Sequence, residues 1–162
     1  MTDPISPIRD TDDAARATAR NLLRGANIAA IAFADLETGA PGVARIGFGL
    51  APDGMAISLV SDLALHTRAL RQDPRAALMI GEPADRGDPL NSPRLSVTVM
   101  ARFIDADSPD RASLRQAWLG HHPKARLYVD FADFHFVGFE ILGAALNGGF
   151  GRAYRLAPAD LA

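Results

Sequence analysis

Residues 27–60 read NIAAIAFADLETGAPGVARIGFGLAPDGMAISLV, and the fold follows from how that stretch divides. It holds three apolar segments, Asn27 to Ala34, Val43 to Leu50 and Met55 to Val60. Glu37-Thr38-Gly39-Ala40-Pro41-Gly42 and Ala51-Pro52-Asp53-Gly54 separate them. Each segment is too short for a stable helix and is bounded by Pro-Gly or Asp-Gly turn chemistry, so the three form an antiparallel meander.

The flanks extend the pattern. A helix is expected from Thr11 to Arg24, with Asp12 and Asp13 at its positive end and Gly25 to stop it. Ser61 to Gln72 reads as a helix closed by Asp73-Pro74, because a residue before proline is pushed out of the helical region. Arg75 to Gly81 and Leu95 to Ile104 read as strands around a polar loop, Glu82 to Pro93. Ser108-Pro109-Asp110 starts a helix running to Leu119, and Pro123 to Tyr128 offers a shorter one. The tail, Phe136 to Leu156, alternates well enough for one or two strands, interrupted at Gly148-Gly149. About six short strands with few intervening helices predict an α+β chain with an antiparallel six-stranded barrel and flanking helices. Residues 1–162 are expected to make a single domain, with 1–10 as a flexible N-terminus.

Composition limits the function. The 162 residues carry 17 Lys+Arg against 19 Asp+Glu, a formal charge of −2, without the basic excess of a nucleic-acid binder. The longest apolar runs fall far short of the ~20 residues of a membrane span. There is no cysteine, hence no disulfide, thiolate metal site or cysteine nucleophile. The acidic opening MTDPISPIRDTDD is unlike a signal peptide, which predicts a cytoplasmic protein. All basic residues but Lys124 are arginine, so an arbitrary Arg carries little functional information by itself.

Three places could carry chemistry. Val43, Arg45, Gly47 and Gly49 share one face of their strand, setting an arginine beside two residues without side chains; glycine there leaves room for a ligand or another backbone. The plain alternative is an edge strand with an exposed Arg. Ser61-Asp62-Leu63-Ala64-Leu65-His66-Thr67-Arg68 follows a strand and opens a helix, where free N–H groups join the donors of Ser61, His66, Thr67 and Arg68 in a pattern suited to phosphate. Against this, Asp62 favours plain capping. In the third segment Ser96 and Thr98 lie opposite the apolar Leu95, Val97 and Val99, facing a polar heterocycle or merely solvent. The familiar nucleotide loops and the nucleophile elbow are missing, and the adjacent His121 and His122 lack zinc-chelating spacing. No metal site and no catalytic residue is assigned.

The order of these elements, with Ser61-x-x-x-x-His66-Thr67-Arg68, Asp73-Pro74-Arg75-Ala76 and Pro93-Arg94-Leu95-Ser96, resembles the FMN-binding split barrels related to pyridoxamine 5′-phosphate oxidase. His122-Pro123-Lys124-Ala125, the run Tyr128 to Phe134 and Gly148-Gly149-Phe150-Gly151-Arg152-Ala153 are similar to its haem-utilisation branch. The resemblance implies a homodimer of split barrels with cofactor at the subunit interface. It places Arg45, His66, Thr67 and Arg68 at the FMN phosphate, Ser61 and Ser96 along the flavin, and Gly149 and Phe150, with Gly148, near its edge. Two departures stand out: His66 replaces a lysine, and Leu65 replaces a second basic residue. The expected function is an FMN-dependent oxidoreductase acting on a small molecule. The alternatives are a haem-binding or haem-degrading protein, with His66, His121, His122 and His135 as candidate iron ligands, or a cofactor-free dimeric binding protein.

Overall fold

The computed structural model of the chain describes residues 7–162. Its elements in order are β1 (Ile8–Arg9), α1 (Asp13–Gly25), β2 (Ile28–Ala34), β3 (Pro41–Gly47), β4 (Gly49–Leu50) and β5 (Ala56–Ser61). There follow α2 (Leu65–Gln72), β6 (Arg75–Ile80), β7 (Arg94–Phe103), α3 (Arg111–His121), β8 (Phe134–Asn147) and β9 (Ala153–Leu156). Short 3-10 turns at Pro89–Asn91, Pro123–Leu127 and Pro158–Asp160 each begin with proline.

Six strands close a ring. β2 pairs antiparallel with β3 and β6, β6 with β7, β7 with β8, β8 with β5 and β5 with β4. The segment expected as one strand, Val43 to Leu50, is broken at Phe48, whose backbone N–H turns to the Asn27 carbonyl instead. Its first half joins β2 and its second half joins β5, so this one segment bridges the two sides of a split barrel. The chain thus has the expected α+β split barrel, and nine strands among the described residues because β1, β4 and β9 add to the six.

Several boundaries differ from expectation. Ile8–Arg9, placed in a flexible N-terminus, is a strand paired in parallel with Ala153 and Tyr154, so the sheet is mixed; residues 1–6 of that segment lie outside the described residues. Ser61 ends β5 rather than opening a helix, and α2 starts only at Leu65. The third helix starts at Arg111 after Asp110, since Ser108 spends its hydroxyl on the Asp110 N–H in the preceding turn. The first helix starts at Asp13 rather than Thr11 and takes in Gly25, with Asp12 as its cap, the carboxylate accepting from the Ala15 N–H at 2.7 Å.

Two cores result. The barrel interior is filled by alternate residues of its strands, among them Ile31, Ile46, Leu78, Val97 and Phe139, and α1 packs Ala15, Ala19 and Leu23 into it at helical spacing. A second cluster lies outside the barrel wall, where α3 lays Leu114 and Trp118 over Ile57, Leu59 and Phe136. The rest of the outer wall, on β3, β2, β6, β7 and the end of β8, has no helix over it: Val43 is 74% and Met79 49% exposed. No helix among the described residues is long and apolar enough to cross a membrane.

Candidate functional site

The barrel opens where β3 and β5 part. Their link is Gly49↔Ile57 and Leu50↔Ala56 in β4 and β5, plus the Ser58 hydroxyl, which donates to the Gly47 carbonyl at 2.7 Å. Upstream of Gly47 the strands diverge. Continued that far, the register would set Arg45 opposite Ser61, and strand alternation turns both toward the outside of the barrel. Ser61 is paired in turn with Phe134 of β8. Arg45 thus lies on the outer face of the strand at one edge of the split, and Ser61, with Phe134 paired to it, lies on the outer face at the other; the gap between these edges is the candidate niche.

The walls of the niche are aromatic. Phe134 lies 4.9 Å from the Tyr128 ring and 6.4 Å from that of Phe131, which is 57% exposed. On the next row inward, Trp118 and His122 cover Gly47, with their rings stacked at 4.1 Å. A Cβ on Gly47 would stand 3.0 Å from two carbons of Trp118, and one on Gly49 would stand 3.4 Å from the His121 ring. The space left by these glycines, expected to receive a ligand, is occupied by the protein itself. His122 Nε2 lies 2.8 Å from the Phe48 carbonyl, fastening α3 to the strand break. The Trp118 indole nitrogen is buried without a hydrogen bond among the described residues.

Charges divide the niche. Arg45 is exposed on β3, opposite Ala30, and has no ion pair among the described residues. The Ser61 hydroxyl donates to Asp133 at 3.1 Å and accepts from the Leu63 N–H. Asp62 holds His135 at 2.8 Å and Arg71 at 3.1 Å; the His135 contact, followed by Arg71, keeps its carboxyl below the usual range. Of the helix residues, His66 is half-buried with its ring 6.3 Å from Phe33 on the inner side of β2, and burial pushes its imidazole toward the neutral form. Thr67 is fully buried, its hydroxyl without a partner among the described residues. Arg68 donates to the Leu63 carbonyl at 3.3 Å and faces Asp35. Ala64, before the helix, offers no side-chain cap to the first N–H groups of α2.

The structure thus brings Arg45 and Ser61 to the two lips of the split and sets His66, Thr67 and Arg68 on the helix that leaves one lip. Ser96 shares the outer face and the cross-strand row of Arg45, through Ala30 and Met79, about 14 Å along the sheet at ~4.8 Å per strand. Gly149 and Phe150 lie apart from Arg45 in the chain, in the β8–β9 turn. Gly149 has φ +106°, with the Asn91 carbonyl 3.0 Å from where a Cβ would stand, and Phe150 is 93% exposed. Sequence reasoning did not single out Tyr128, Phe131, Phe134 or Trp118 as site residues. The signal available was the aromatic spacing from Tyr128 to Phe134.

A model of the family described as CREG, beta-barrel, matches residues 10–161. Over 108 residues, 67% of this chain, the sequence is 34% identical to the non-canonical heme oxygenase HOZ, chloroplastic, of Arabidopsis thaliana, of which it covers 32%. The chain spans about a third of the length of that curated relative. A heme binding protein from Mycobacterium smegmatis superposes with a TM-score of 0.81 at 28% identity, over 95% of this chain and 61% of that one. A general stress protein 26 relative of the pyridoxinephosphate oxidase family from Clostridium acetobutylicum superposes at 0.70 and 15% identity, over 94% and 100%, a likeness of fold alone. With the ring closed through the broken strand at Phe48 and the match running from Asp10 to Leu161, this chain belongs to the CREG beta-barrel family.

Proposed function

We propose that this chain is a haem-binding protein whose niche at Arg45, Ser61 and Phe134 receives a flat conjugated ring with an anionic tail. The observation that carries the reading is Arg45. It is a permanent cation with no acidic partner among the described residues, and it stands at the edge of the split, on the outer face, across from Ser61 and the aromatic cluster of Phe134. A propionate meeting such a guanidinium makes a charge-assisted contact worth about 1.5–3 kcal/mol. Among the histidines, His122 and His135 have Nε2 engaged, and His66 stands against Phe33 on the inner side of β2, away from the outer face that carries Arg45, so the reading assigns no iron ligand. The names of the Arabidopsis and Mycobacterium relatives support the same ligand. Bound haem would supply the redox chemistry; Arg45, Ser61, Ser96 and the aromatic wall would hold and orient it.

A second reading, FMN held by its phosphate, is favoured by one feature: the uncapped start of α2 offers the N–H groups of Leu65, His66 and Thr67 beside Arg68. In that case Arg45 and Arg68 carry the charge and His66 does not. In either reading the bare outer wall, with Val43, Met79 and the alanines 32 and 77 exposed, is covered by a second copy of the chain, which would complete the site with Gly149 and Phe150.

The test is a titration of the cofactor-free protein with haemin and, separately, with FMN, followed by visible absorption. A saturable Soret band that weakens in Arg45→Ala is expected. Saturation by FMN alone would replace the first reading by the second, and no spectral change with either would overturn both.

A further inference from the structure

At the end of the barrel away from the niche, α1, the β4–β5 turn, β8 and the C-terminal turn enclose a cavity of about 460 Å³. Its floor is the barrel interior itself, through Leu23 and Phe139, which are 5% and 1% exposed. Half-buried Leu50, Met55, Ile141 and Leu161 form its sides. Its charged groups come mainly from one helix: Arg20 and Arg24 stand one turn apart on α1, facing Asp53 of the β4–β5 turn. Asp53 has a task of its own, since its carboxylate accepts from the Met55 N–H at 3.0 Å. Arg20 gives its Nε proton to the Asp160 carbonyl at 3.0 Å, whereas Arg24 carries no hydrogen bond or ion pair among the described residues. An apolar floor under a cationic rim selects an amphiphile, because an ion alone wastes the floor and a hydrocarbon alone leaves the guanidinium unmatched.

We propose that this cavity is a binding site for a carboxylate that carries a short unbranched hydrocarbon chain, with the head at Arg24 and the chain running toward Leu23 and Phe139. The volume falls in the ordinary range for small-ligand sites, ~300–1,000 Å³. The site is independent of the niche at the split and of whichever cofactor that niche takes. A plainer role for Arg24, complementing the negative end of α1, needs no ligand and is separated by the experiment.

The full chain, labelled with 15N, is titrated with decanoate below its micellar concentration while the amide signals of Gly54, Met55 and Leu161 are followed. Saturable shifts confined to these neighbours are expected, with acetate giving none and decanol binding at least about tenfold more weakly. Arg24→Glu, an exposed change, should remove the shifts while lowering Tm only by the small loss expected of a reversed charge at a helix end, and Leu161→Trp should block them by filling the cavity. Decanoate producing no saturable shift overturns the proposal, as does binding that survives Arg24→Glu unchanged or that decanol matches.

Discussion

The indole of Trp118 fills the space that Gly47 leaves open, two of its ring carbons lying 3.0 Å from where a Cβ would stand. The glycine serves packing: it lets α3 lie against the wall at the strand break, and His122 then fastens the helix to the Phe48 carbonyl. Replacing Gly47 by alanine drives a methyl into a buried ring that cannot swing away. The expected cost is about 1–3 kcal/mol, read as a lower Tm together with a red shift of the emission of Trp118, the chain's sole tryptophan. Unchanged stability would mean that α3 is seated loosely.

His66 gives the fold a pH dependence whose sign follows from burial. Its imidazole resists protonation when folded but takes a proton at its ordinary value of 6.5 when unfolded. Above that value both states are neutral and nothing is gained or lost. As pH falls through 6.5 the unfolded chain binds the extra proton, so stability declines. Urea midpoints measured between about pH 7.5 and 5.5 should drop less for His66→Gln than for the parent chain. Parallel curves would show that His66 is as solvated in the fold as out of it.

Asp73 ends α2 just before Pro74, and the Arg75 side chain grips its carboxylate through Nε and Nη2 at 2.9 and 2.7 Å. The grip lowers the carboxyl pKa to about 2, so its contribution is complete above the ordinary value of 3.8 and is lost as pH falls through about 2. Carboxyl NMR titration should find Asp73 near that value, and Arg75→Ala should return it toward 3.8. A titration that Arg75→Ala leaves unmoved would assign the shift to the turn backbone instead.

The bare outer wall predicts an oligomer that one charge can break. Met79 stands 49% exposed in the row joining Arg45 to Ser96. Met79→Glu should halve the mass seen in sedimentation while leaving Tm within a few degrees, since the residue touches solvent in the single chain. A chain that is monomeric before the change would remove the second copy from the account.

Much of this was legible in the sequence because local chemistry agreed with the fold. The turn at Asp53-Gly54 and the Asp73-Pro74 stop mark real boundaries; Pro41 and Gly42, expected in a turn, instead open β3 opposite Ala34 and Phe33, the turn lying just before them. Long-range pairing was not legible. Nothing near Phe48 says that its strand changes partners, and Ile8–Arg9 becomes a strand only because β9 offers it an edge. Arg45 and Ser61 were legible as separate candidates, but their places on the two edges of the split depend on the pairing of β4 with β5. The glycines at 47 and 49 were read as room for a ligand because the partner filling that room, Trp118, lies some seventy residues away.

The central claim, that the cation at the split anchors the cofactor's anionic tail, is tested most directly by comparing two arginines of the same outer face. Arg155 lies in the cross-strand row of Arg45, beyond Ser96 and Ala145, but far from the split. Haemin affinity, read from the Soret band, should fall about tenfold or more in Arg45→Ala, the loss of one charge-assisted contact, and stay unchanged in Arg155→Ala. Equal affinities in the two variants would contradict the account.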